Sequence, residues 1–130
     1  MITGSHAIIY AQDADKARAF FRDVLEFPYV DSHGGWLIFK LPPAELGIHP
    51  AGEPEGPESG APNGHHELYL MCDDVEETVA VLTGKGVEFT SAIEDQGFGR
   101  LVRLRVPGAG EIGLYQPKHA TAYDLGDKAR

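Results

Sequence analysis

At 130 residues the chain can build one domain, or two half-domains around a shared core, but not two independent units. A hydrophobic content of 42% is that of an ordinary globular protein, and a formal charge of −9 opposes binding to nucleic-acid phosphates or to anionic membrane surfaces. A single cysteine, Cys72, excludes an internal disulfide. With no signal-peptide pattern and no apolar run near the ~20 residues that span a bilayer, a cytoplasmic protein handling a small molecule is expected.

Residues 5–11 alternate as a strand, with Ala7, Ile9 and Ala11 on one face and His6, Ile8 and Tyr10 on the other. Asp13 is placed to cap a helix, because its carboxylate can accept a bond from a free first-turn amide. The helix it opens carries Ala17, Phe20, Phe21, Val24 and Leu25, the spacing of one buried stripe, and ends at Phe27-Pro28-Tyr29. A short strand, a hairpin turn at Gly34-Gly35, and a second strand over 36–41 follow. Pro42-Pro43 stops that strand, and a further one over 45–49 runs to Pro50. The Pro, Gly and Glu composition after that point cannot bury a core, so residues 51–64 read as a linker.

The plan then repeats. Glu67, Tyr69 and Met71 alternate with Leu68, Leu70 and Cys72, and Asp74 with Glu77 makes a capping-box-like start. Val75, Val79 and Leu82 form the helix stripe, and Gly86 suits the left-handed position behind it. Strands are expected around 87–90, over 101–106 and over 111–115, closed by Pro117. Asp13 and Asp74 are homologous points of the two copies, and so are His6 and Glu67, and the Gly47 and Gly113 strands. The expected organisation is βαβββ twice: module one 4–50, linker 51–64, module two 65–117, and a polar tail 118–130.

Two such modules resemble the vicinal oxygen chelate superfamily of glyoxalases, extradiol dioxygenases, fosfomycin-resistance enzymes and bleomycin-resistance proteins. The resemblance is carried by His6 with Asp13, by Phe20-Phe21-Arg22-Asp23-Val24-Leu25, by Glu67 with Asp73-Asp74-Val75, and by Leu114-Tyr115-Gln116-Pro117. It implies an α+β fold in which the modules form a cupped mixed sheet with helices outside. It also implies metal ligands on the first and last strands of each module. His6 falls on the usual first-strand histidine, whereas Glu67 stands where a second histidine is usual. The usual last-strand glutamate falls on Gly113, and its partner position on Gly47. Glu26 stands where the family has glycine after the first helix, a departure that bears on backbone strain.

Strand parity gathers His6, Tyr10, His49, Glu67, Tyr69, Met71, Glu111 and Tyr115 on the inner face, with Glu45 as a further inward acid. His6, His49 and Glu67 form the expected ligand set for a divalent ion, Fe, Mn, Zn or Ni. Glu111 or Tyr115 is then a fourth ligand or a proton-transfer group. A one-residue register slip would put His66 in the place of Glu67. Without metal, His6 and Glu67 would be a hydrogen-bonded pair. Arg103 and Arg105 share a strand face and can meet an anion or simply be solvated. Cys72 reads as a small packing residue, and the glycines of 108–113 lack the following helix that a dinucleotide loop needs.

Two functions are therefore expected in competition. The one the sequence favours is a divalent-metal enzyme of dioxygenase or glyoxalase type acting on vicinal oxygens. The other is a metal-free, bleomycin-resistance-type protein that sequesters a small molecule. A homodimer is expected in either case, since half-sheets leave unpaired edges.

Overall fold

The computed structural model of the chain describes residues 1, 4–51 and 61–125. Most of the expected linker and the last residues of the expected tail lie outside them.

Helix α1, Ala14–Ala19, starts at Asp13, whose Oδ1 accepts the Lys16 N–H at 3.1 Å. It continues as a π-helical turn, Phe20–Val24, in which the Leu25 N–H reaches back to the Phe20 carbonyl at 3.1 Å. This wider turn sets Ala17, Phe20 and Phe21 side by side in the core. The chain leaves the helix through Glu26 at φ +57°, the left-handed conformation that the family's usual glycine adopts without a Cβ clash.

Strands β1, Tyr29–Asp31, and β2, Leu37–Phe39, make an antiparallel hairpin over the Gly34-Gly35 turn. The Asp31 carboxylate accepts the His33 and Gly35 N–H groups and holds that turn. Phe39 packs on Phe21, ring centroids 5.7 Å apart. Trp36 lies outside the core with the Arg18 guanidinium 4.7 Å above its ring.

The second half is the more regular. Strand β3, Tyr69–Met71, leads into helix α2, Val75–Gly84, and then β4, Glu94–Asp95, β5, Gly99–Arg105, and β6, Glu111–Pro117. Asp74 caps α2 by accepting the Glu77 N–H at 3.1 Å, and Gly86 takes φ +88° behind it. The sheet runs β3-β6-β5-β4, with β3 parallel to β6 and the other pairs antiparallel. Around Phe89 only an isolated bridge to Leu104 forms where a strand was expected.

The outer face of this sheet carries Val102, Leu104, Ile112 and Leu114, which join Val75, Leu82, Phe20 and Phe21 in one core. Both halves therefore bury their apolar stripes against the same sheet. They are pinned together where the Asp13 N–H donates to the Gly108 carbonyl at 3.0 Å. A Cβ at Gly108, φ +81°, would collide with the Asp13 backbone, so this junction requires glycine.

Two expected strands of the first half, over 5–11 and 45–49, do not form a ladder with anything among the described residues. A strand is stabilised by a neighbouring edge, and among the described residues no edge meets these segments. Their apolar side chains stay in solvent: Ile8 is 67% exposed, Tyr10 90%, Leu46 86% and Ile48 87%.

Candidate functional site: the inner face of the second half-sheet

The face opposite the core is built by strand parity. Glu67, Tyr69 and Met71 come from the β3 strand line, Gly99, Leu101 and Arg103 from β5, and Glu111, Gly113 and Tyr115 from β6. In register, Tyr69 lies beside Gly113 and Gly113 beside Arg103, so one row across three strands reads Tyr69, Gly113, Arg103. The missing side chain at Gly113 decides what happens along that row. The Tyr69 ring lies over the glycine, in the volume a Cβ would occupy, and extends toward Arg103. The guanidinium carbon sits 5.9 Å from the Tyr69 ring centre. Tyr115 lies in the same way over Gly99.

Arg103 is the hub. Its Nε donates to Glu111 Oε2 at 3.3 Å, and one terminal nitrogen approaches Glu67 Oε1 at 3.5 Å and the Tyr69 hydroxyl at 3.4 Å. The Tyr69 hydroxyl donates to Glu67 Oε1 at 3.1 Å, and His65 Nε2 stands 3.6 Å from the other Glu67 oxygen. Both carboxylates are 38% exposed and Arg103 is 32% exposed, so each ion pair is only partly shielded from water. Burial, followed by the Glu67 charge, pushes the Tyr69 phenol above its ordinary value of 10.0. Burial works against the Arg103 cation, but the hydrogen bonds to Tyr69 and Glu111 outweigh it and raise its pKa overall.

A second cluster stands at the far end of β6. Tyr115 is 6.2 Å from Tyr69, 6.0 Å from Phe98 and 5.8 Å from His119, measured between ring centres, and its hydroxyl donates to the Phe98 carbonyl at 3.1 Å. That proton is committed to a backbone oxygen. Burial, then the nearby Glu45 charge, raises the Tyr115 phenol, which makes it a poor acid near neutral pH. Cys72 is half-buried with its sulfur 3.8 Å from the Tyr115 carbonyl, and burial pushes its thiol up, away from nucleophile behaviour.

Of the residues expected to act together, the structure gathers Glu67, Tyr69, Glu111 and Tyr115 on one face. Register favours Glu67 over His66: Glu67 meets Tyr69 and Arg103. His6 and His49 lie on the exposed, unpaired segments of the first half. Among the described residues no three His, Cys, Asp or Glu side chains are placed to hold a metal ion. The donor set within one chain fits a divalent cation poorly for two reasons. The volume of the family's usual glutamate at Gly113 is taken by the Tyr69 ring, and Arg103 already supplies positive charge between Glu67 and Glu111. The sequence placed Arg103 and Arg105 on one strand face without assigning that face to the inner side. The position of Arg103 between two carboxylates follows from the pairing of β3, β6 and β5, which sequence spacing does not give.

Comparison with known proteins agrees with this architecture. The family model of the Glyoxalase/Bleomycin resistance protein/Dioxygenase superfamily matches residues 4–109. The chain belongs to that superfamily. A superfamily member from Sphaerobacter thermophilus is 27% identical, with a TM-score of 0.59 over 88% of this chain and 98% of that one. TnmS3, an antibiotic binding protein from Streptomyces sp. CB03234, is 25% identical, with a TM-score of 0.54 over 88% of this chain and all (100%) of that one. A lactoylglutathione lyase from Agrobacterium tumefaciens shares the fold, at 20% identity and a TM-score of 0.55 over 95% of this chain and 99% of that one. No curated protein matches the chain. No helix among the described residues is long and apolar enough to cross a membrane.

Proposed function

We propose that this protein binds a small molecule without a metal ion, in the manner of the antibiotic-binding members of its superfamily. The observation that carries the reading is Arg103, held between Glu67 and Glu111. A guanidinium there offsets half of the carboxylate charge that would otherwise attract a divalent cation, and its fixed fork leaves oriented polar groups for a ligand. The flanking rings of Tyr69, Tyr115 and Phe98 offer stacking surfaces. A planar aromatic molecule with hydrogen-bond donors facing Glu67 and Glu111 is the ligand class that this face suits. The similarity to TnmS3 supports the same reading.

The competing reading, a metal enzyme using His6, His49 and Glu67 with Glu111 or Tyr115 as proton-transfer groups, predicts a different metal content. Protein purified without chelator should carry no stoichiometric iron, manganese, zinc or nickel by elemental mass spectrometry, and millimolar Mn²⁺ should leave its thermal midpoint unmoved. One bound ion per site, or clear stabilisation by Mn²⁺, would overturn the metal-free reading, since a ligand at a hundred times its Kd stabilises by about 2.7 kcal/mol. A thermal-shift screen of planar aromatic antibiotics should yield a ligand whose effect is lost in Arg103→Ala.

We also propose that the working form is a homodimer. Among the described residues β3 is an open edge of its sheet, and the segment over 5–11, whose sequence alternates like a strand of the same repeat type, has no partner. A second copy can supply each with the other and cover Ile8, Leu46 and Ile48. Light scattering after size exclusion should give twice the chain mass, and a monomer at micromolar concentration would sink the proposal.

A further inference from the structure

We infer that residues 118–125 form a strap across the Tyr115 end of the inner face, and that Glu45, from the first half of the chain, is the positioning residue that latches it. The strap begins as β6 ends. The Lys118 N–H donates to the Phe98 carbonyl at 2.8 Å, and its ammonium grips the Asp95 carboxylate at 2.7 and 2.8 Å. These bonds fix the root of the segment on the sheet. The chain then carries the His119 ring over Tyr115, 5.8 Å between centres and 33° from parallel. It closes with the 3-10 turn Ala122–Asp124, where Thr121 bonds to Asp124.

Beyond its root, what holds this segment to the first half of the molecule is Glu45. Its Oε1 accepts the Ala122 N–H at 2.9 Å, and its Oε2 stands 3.7 Å from His119 Nε2, across 77 positions of sequence. At 20% exposed, the Glu45 side chain is the least exposed carboxylate among the ion pairs of the described residues. An acid that sheltered needs a donor to compensate its lost hydration, and here the Ala122 N–H of the strap is that donor, with the His119 ring beside the other carboxylate oxygen. Strand parity marked Glu45 as an inward acid, a candidate for ligand or metal. In the fold its Oε1 is committed to the C-terminal segment instead. A ligand approaching the Tyr115 ring from this end must pass the strap, so the latch sets access to the aromatic part of the site.

The inference rests on the inner face being the ligand surface, but its test needs no ligand and does not depend on metal content. Nitration by tetranitromethane, followed residue by residue with mass spectrometry, reads the accessibility of each tyrosine ring, and Tyr10, 90% exposed, serves as an internal reference. In the wild type, Tyr115 should react slowly relative to Tyr10. Glu45→Ala removes the acceptor. Ala122→Pro removes the donor from the other side, at a first helical position that proline tolerates and after Thr121, whose extended φ −90°, ψ 131° suits a residue preceding proline. Either change should raise the relative rate at Tyr115 about tenfold or more, as expected when a charge-assisted hydrogen bond is lost. The double variant should go no further than either single one, and Glu45→Gln, which keeps an acceptor oxygen, should stay nearer the wild type. Unchanged Tyr115 nitration in either single variant, or effects that multiply in the double, would overturn the latch.

Discussion

Gly113→Ala tests the arrangement on which the site is built. The backbone of Gly113 lies outside the left-handed region, so alanine meets no conformational penalty there. The penalty comes from space, because the new Cβ falls among three carbons of the Tyr69 ring. The ring must swing away, which loses the hydroxyl bond to Glu67 at 3.1 Å and the contact with Arg103 at 5.9 Å. At this partial exposure these contribute about 1 kcal/mol and about 0.5–1 kcal/mol. Replacing a strand glycine returns about 0.5–1 kcal/mol of backbone entropy. The net expectation is a destabilisation of about 1 kcal/mol. In a Tyr69→Ala background the clash is gone and only the favourable entropy remains, so the same substitution should be neutral or stabilising. The coupling between the two positions, from urea unfolding of the four proteins, is therefore about 1–2 kcal/mol. An equal cost of Gly113→Ala in both backgrounds would refute the idea that Tyr69 fills the glycine's place.

Two further outcomes follow from local geometry. Glu26→Gly should stabilise the protein by about 0.5–1 kcal/mol in the same urea assay, because relief of a left-handed non-glycine residue outweighs glycine's greater unfolded-state entropy and an exposed contact to Lys85 at 3.3 Å; a loss of stability would contradict it. Tyr69 should ionise above 10.0 in an absorbance titration at alkaline pH, and Glu67→Gln should bring it back toward that value. The phenol binds its proton more tightly folded than unfolded, so stability should fall as pH rises from the unfolded phenol's pKa through the folded one. A Tyr69 titration unmoved by Glu67→Gln would show that the carboxylate does not act on it.

Much of the local structure was written in residue type. Asp13 and Asp74 cap their helices because a short carboxylate can reach a free amide from almost any tertiary setting. The strained backbone at Glu26 was implied by the resemblance, whose usual glycine there avoids the clash of a left-handed Cβ with its own chain. Alternation also sorted Leu68, Leu70 and Cys72 toward the core and Glu67, Tyr69 and Met71 away from it. The pattern over 5–11 and 45–49 was equally clear as strand, yet no ladder forms there among the described residues, since alternation describes the faces of a strand and says nothing of who lies at its edge.

Residue order fixed whatever depends on neighbours a few residues away: caps, turns, helix stripes, the two faces of the β3 strand line, and the family those features mark. The meeting of distant groups came from the folded arrangement alone. Gly113 gives its space to Tyr69 only because β3 and β6 pair in that register, Arg103 stands between two carboxylates because β5 lies beside β6, and Glu45 holds a segment far along the chain. Charge neutralisation and hydrogen bonding act over a few ångströms of space, and the chain's order does not fix which groups come that close.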